Sequence, residues 1–145
     1  MALARLTSKC APRNVVPGGE PDGPLVSVER VLGEEQLRDF YGDVYLVGRT
    51  TPWAKGRFLG TNLSEFLVEM PDRREYLFGH GLAAIESSEP DIPFSRPGDS
   101  GGMVYGFEGD ACVAIGFVIG AAGGITYISP AERCLKTMEV ELLGV

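Results

Sequence analysis

From residue 43 to residue 128 the chain is a succession of short apolar, β-branched and aromatic runs, each closed off by Gly, Pro or a charged turn. The runs are Asp43–Arg49, Gly56–Leu63, Ser64–Met70, Arg74–Gly81, Gly102–Phe107, Ala111–Ala121 and Gly123–Ile128. Segments of this length and composition read as strands. Gly56–Leu63 and Ser64–Met70 are expected to pair as a hairpin. Glu108-Gly109-Asp110 reads as a turn, and proline-rich Ser87–Pro97 as a loop. Many short strands punctuated by Gly and Pro mean an all-β sandwich or barrel. A closed barrel manages its edges best.

The flanks read differently. Residues 1–24 carry Pro12, Pro17, Pro21 and Pro24 with Gly18, Gly19 and Gly23, which predicts an extended or disordered arm, or a linker from another domain. The rest, 25–145, is one domain, since the length of 145 residues suits a single core. Leu25–Val31 alternates apolar and polar residues and permits a short strand. Gly33–Tyr41 places Leu37, Phe40 and Tyr41 at helical spacing, with Glu34 and Glu35 in the first turn. At the C-terminus, Ser129 as cap, Pro130 at the first position and Glu132 completing a capping box predict a helix. Leu135, Met138 and Leu142 share one face of it, and Gly144 follows as terminator.

Charge and cysteine usage exclude several classes. A net charge of −7 argues against nucleic acid and anionic membranes as partners. No apolar run reaches spanning length, and the N-terminus lacks the apolar core of a signal peptide. Its first 19 residues carry Arg5, Lys9 and Arg13 and no acid, which weakly resembles a transit peptide and equally suits a leftover segment. Cys10, Cys112 and Cys134 lack metal or redox spacing, so they read as reduced thiols, which favours an intracellular location. No metal or cofactor is expected, since a single histidine and scattered cysteines make a poor ligand set.

The most informative stretch is Arg96-Pro97-Gly98-Asp99-Ser100-Gly101-Gly102, which runs into Met103-Val104-Tyr105. It is a tight turn that presents one hydroxyl and then becomes a strand. Glycines on both sides remove Cβ atoms that would block a substrate or forbid unusual dihedrals. Backbone N–H groups of Gly98 and Ser100 can then converge on one point, as an oxyanion site requires. The plainer reading is a Gly-rich hairpin with an incidental serine.

This stretch resembles the nucleophile loop of the chymotrypsin/trypsin-like serine peptidases. The resemblance extends to Val44–Thr51, similar to the strand and turn that open the C-terminal barrel. It also takes in Ala114–Ala121, similar to the strand that pairs with substrate backbone, and Gly123–Ile128, similar to the closing strand. It covers residues 43 to 143, as one barrel with its helix. It implies a six-stranded antiparallel Greek-key barrel with a C-terminal α-helix. The family has a first barrel that supplies the catalytic histidine and aspartate, and no counterpart of it is found in this sequence.

The resemblance implies that Ser100 is the nucleophile, that Gly98 and Ser100 donate to the oxyanion, and that Asp99 stabilises the turn, with its partner open. Phe94 would lie at the base of the specificity pocket, with Gly120, Ala121 and Gly124 as walls. An uncharged base fits an apolar or aromatic side chain better than Lys or Arg; the plainer reading makes these residues core. His80 is the single histidine and so the in-chain candidate base. Its spacing to Asp91 and Ser100 departs from the family, which favours a structural histidine bonded to backbone or water. Lys9, Lys55 and Lys136 are the candidates for a Ser–Lys dyad, and none has a motif beside it.

Two functions follow. One is a serine-peptidase module carrying nucleophile, oxyanion hole and specificity pocket, silent until another chain or copy supplies the base. The other is a non-catalytic pseudoprotease that holds an extended peptide by strand addition along Ile119–Ala121. In both, the partner is a polypeptide. A homodimer or a partner protein is also expected to cover the face that a first barrel would occupy.

Overall fold

The computed structural model describes residues 14–61, 66–69, 73–78 and 81–142, the side chains of 66–69 and 76–78 excepted. Val44, Tyr45 and Leu46 are buried along Asp43–Leu46 (β4), and buried Ala54, Gly56 and Phe58 alternate with Lys55, Arg57 and Leu59 along Ala54–Thr61 (β5); the two strands pair antiparallel through Val44↔Gly56 and Leu46↔Ala54. Ala83–Ser87 (β8) adds to β5, and Ile125–Pro130 (β11) adds to β8. Met103–Glu108 (β9) lies on the other side of β4, and Ala111–Ala122 (β10) pairs with β9. β10 also pairs with β11, and this closes a six-stranded antiparallel barrel. Around the barrel the order is β4, β5, β8, β11, β10, β9, the expected Greek key.

Closure positions the candidate site residues. β8 and β9 follow one another in sequence but are not neighbours in the barrel. The connection 88–102 must therefore cross the mouth of the barrel, and it carries the serine turn with it. The core lies beneath, built from Val44, Leu46, Phe58, Ile85, Phe94, Val104, Val113, Ile115 and Ile128.

The remaining elements cover the barrel. Val15–Pro17 (β1) and Leu25–Ser27 (β2) form a two-stranded sheet. Over its described residues, 14–24, the segment read as an arm carries β1 and the turn that leads into β2, and Tyr105 Oη donates to the Pro17 carbonyl at 2.9 Å. The expected strand 25–31 breaks into β2 and Arg30–Val31 (β3), which runs parallel to β10. Val16 and Val28 pack on a second cluster that includes Tyr45, Tyr105 and Cys112. Burial pushes the Cys112 thiol up to about 11, aided by the charge of Glu29, so it is an inert core group. Cys10 lies outside the described residues.

Helix Glu34–Asp39 (α1) forms inside the expected span and closes the far end of the barrel. Leu32 and Leu37 are fully buried there, and Phe40 meets Phe58 edge-on at 5.5 Å. Helix Ala131–Met138 (α2) packs on β10 and β11. Its expected capping box does not form. Ser129 is drawn into the β11 ladder, and Pro130 takes the cap position without a side-chain bond. Glu132 turns instead to the Glu34 N–H at 2.8 Å, joining the two helices. The helix ends on Glu139 in the left-handed region, and Gly144 lies outside the described residues.

One strand expectation is corrected, and one strand was not expected. Gly56–Leu63 and Ser64–Met70 do not pair with each other. β5 is committed on both edges to β4 and β8, and Phe66–Glu69 (β6) pairs with Glu75–Phe78 (β7). β8 itself carries no strand expectation, because Leu82-Ala83-Ala84 lacks the β-branched, alternating pattern of a half-exposed strand. It is buried on both faces, and burial replaces alternation.

Candidate functional site at the barrel mouth

The site is built on Asp99. Its carboxylate is 1% exposed and accepts four hydrogen bonds. The Thr50 N–H donates to Oδ1 at 2.7 Å and the Thr51 N–H at 3.0 Å. The Thr51 hydroxyl donates to Oδ2 at 2.5 Å and the Arg96 N–H at 2.9 Å. Burial pushes this carboxyl up, but the Thr51 hydroxyl and the three N–H groups outweigh it and hold it below the ordinary carboxylate value. The partner left open by the sequence is thus the turn after β4 together with the backbone of Arg96. A Cβ on Gly48 would stand 2.4 Å from Asp99 Oδ1, so only glycine lets that turn close on the carboxylate.

With Asp99 anchored inward, its neighbours face out. Ser100 is exposed, and its hydroxyl lies 3.4 Å from the Ile119 carbonyl. Gly98 has φ +103, and a Cβ there would lie 2.4 Å from Thr50 Oγ1, which donates to the Pro97 carbonyl. The N–H groups of Asp99, Gly101 and Gly102 bond to the carbonyls of Arg96, Val118 and Asp99. Among the described residues, the N–H groups of Gly98 and Ser100 enter no such bond.

β10 supplies the other side. Its register with β11 shifts between Val118 and Gly120, so Ile119 is the extra residue of a bulge, and its carbonyl turns toward Ser100. Residues 116–122 pair with β11 on one edge, whereas pairing with β9 ends at Phe117. Among the described residues, Ile119, Gly120 and Ala121 therefore have no strand on their second edge, which lies beside Ser100 and is half-buried to exposed. Gly124 is exposed in the two-residue turn between β10 and β11.

Other expected residues are placed elsewhere. Phe94 is fully buried in the barrel core and presents no surface to a substrate. Asp91 is exposed in a groove of about 330 Å³ that runs between Glu86–Pro93 and the β10–β11 turn, with Glu86, Glu89 and Gly124 in its lining. His80 lies outside the described residues, as does Lys9. Lys55 is held by Asp43 at 2.7 Å and Lys136 by Glu132 at 2.8 Å. Each acid raises the pKa of its lysine, the opposite of what a lysine base requires. Thr50, Thr51 and the Ser95–Thr126 pair were missed by sequence reasoning. Nothing in Gly48-Arg49-Thr50-Thr51 marks it as the cradle of a carboxylate distant in sequence.

Among solved structures, the chain is similar to a glutamic-acid-specific serine protease that utilises a histidine triad in substrate binding. The TM-score is 0.60 and the identity 20%, over 93% of this chain and 63% of that one. The chain thus spans less than two thirds of that protein's length. No protein-family model and no curated protein matches the sequence. The likeness establishes the fold, a trypsin-like protease barrel with its C-terminal helix.

Proposed function

We propose that this chain is a serine-peptidase-like module. Ser100 is its nucleophile, the Gly98 and Ser100 N–H groups are its oxyanion donors, and β10 residues Ile119–Ala121 are its peptide-binding edge. The observation that carries this reading is the exposed Ser100 hydroxyl on a turn locked by a buried carboxylate, with two uncommitted N–H groups flanking Asp99. An oxyanion site needs donors that are fixed before reaction, and the four bonds to Asp99 supply that rigidity.

A serine hydroxyl attacks a carbonyl only when a base takes its proton. Among the described residues no histidine is present, and the lysines are ion-paired. On this reading the base comes from outside the described residues, from another polypeptide segment, chain or copy, with His80 as the in-chain alternative. The histidine triad of the structural neighbour has no counterpart, because this chain has one histidine. That protein's glutamate preference does not carry over.

The test is Ser100 labelling by a fluorophosphonate, with casein and peptide esters as substrates. The expected result is slow labelling that is lost in Ser100→Ala, with no turnover. Rapid turnover by the isolated chain would overturn the incomplete site, and labelling that survives Ser100→Ala would overturn the nucleophile.

A second reading rests on the free edge of β10. A peptide adding as a strand along Ile119–Ala121 needs no base at all, which makes the chain a peptide-binding pseudoprotease.

A further inference from the structure

Two buried hydroxyls lie behind the strip that passes Ser100. Ser95 Oγ and Thr126 Oγ1 are 2.8 Å apart, at residues 4% and 1% exposed. Ser95 belongs to the connection across the barrel mouth and Thr126 to β11. The register sets Thr126 opposite Ala121 on one side and Ile85 on the other. Ala121 lies just beyond Ile119, whose carbonyl faces the Ser100 hydroxyl. Burial alternates along β11, with Thr126 and Ile128 inward. The Thr126 side chain therefore points into the barrel mouth beneath 119–121. Phe94 fills the layer next to Ser95.

Side-chain space beside Ser100 would lie between residues 95–98 of the connection and residues 119–121 of β10, whereas the open groove of about 330 Å³ lies further along the same two segments, at 86–93 and 123–125. The Ser95–Thr126 hydrogen bond ties the connection to the β10–β11 hairpin. A large side chain entering there would have to part the pair and leave both hydroxyls buried without partners. It would also crowd a filled core.

We propose that the Ser95–Thr126 hydroxyl pair closes the pocket beside Ser100, so that the groove accepts a peptide with glycine, alanine or serine at that position. This deepens the peptide-groove reading above and rests on it. It replaces the apolar or aromatic side chain that the resemblance implies with a small one.

The test is an NMR titration of the whole chain with acetylated tetrapeptide acids that differ only in the last residue: Gly, Ala, Leu or Phe. Amide shifts at Ile119, Gly120 and Ala121 report groove occupancy. The Gly and Ala peptides should bind at least about tenfold more tightly than the Leu and Phe peptides, the range expected when a site excludes methylene groups. The variant Ser95→Ala/Thr126→Ala removes both hydroxyls together, so neither is orphaned, and it leaves a small cavity where the Thr126 methyl was, so its melting temperature should fall by only a few degrees. It should bind the Leu peptide at least as well as the Ala peptide. Equal binding of all four peptides by the wild type would overturn the closure while leaving the groove. Absence of shifts at 119–121 with every peptide, in both proteins, would overturn the groove reading and this inference with it. If the double variant unfolds, Thr126→Val, which removes one partner of the pair at nearly the same volume, should bind the Leu peptide more tightly than the wild type does, and unchanged rejection would overturn the hydroxyl pair as the closure.

Discussion

At the scale of single residues, Asp99 determines the geometry of the site. Four donors converge on it, and none is a side-chain cation. Asp99→Ala leaves these donors buried and unpaired, and should cost about 2–4 kcal/mol in denaturant unfolding. Asp99→Asn places an amide N–H against donors, and should recover only part of that loss. The lowered carboxyl pKa has a pH consequence. The unfolded chain binds this proton more readily than the folded one. The contribution is therefore complete above the ordinary value of 3.8 and is lost as pH falls through the lower folded value. Acid unfolding of the wild type, compared with Asp99→Asn, should show a steeper loss of stability below that pH. A flat difference would disprove it. Gly98→Ala meets both a positive φ and the Thr50 hydroxyl. It should cost about 1–3 kcal/mol and abolish Ser100 labelling.

At the scale of elements, β10 and α1 do different work. β10 is long enough to pair with β9 and β3 over one half and β11 over the other, and its bulge at Ile119 aims a carbonyl at Ser100. α1 lies at the opposite end, where Leu37 is fully buried and Phe40 stacks edge-on against Phe58. It closes the core rather than the site. Leu37→Ala should cost about 2–5 kcal/mol in thermal unfolding, with the Ser100 labelling rate unchanged at a temperature where the variant is folded. The Arg133–Glu34 ion pair that ties α2 to α1 is partly exposed. Its loss in Arg133→Met should cost no more than about 1 kcal/mol, and less at high salt.

At the scale of the molecule, the barrel is closed, and the proposed active site has no base among the described residues. The fold is that of a trypsin-like protease, yet the chain spans 63% of its structural neighbour. The Ser100 rim stays uncovered by α1, which sits at the far end. The exposed apolar side chains include Val47, between β4 and the turn that holds Asp99, and Ile92, in the connection across the mouth. A homodimer, or a complex with a partner protein, is expected through this side. Light scattering should report twice the monomer mass at micromolar concentration, and Val47→Asp/Ile92→Asp should restore the monomer. A monomer at every concentration, with no effect of these substitutions, would rule out self-association by this face.

Local chemistry in the sequence was enough for the barrel class, α1, α2 and the serine turn. Short β-branched runs, Gly and Pro punctuation and a Gly-Asp-Ser-Gly-Gly stretch act over a few residues. β8 was not legible, because a strand buried on both faces loses its alternation. The capping box at Ser129 failed because the β11 ladder and Glu34 compete for the same groups. The cradle of Asp99, the bulge at Ile119 and the meeting of Ser95 with Thr126 join segments distant along the chain. Only closure of the barrel brings them together. A carboxylate's partners, a carbonyl's direction and the depth of a pocket are properties of that closure, because each depends on which strands become neighbours.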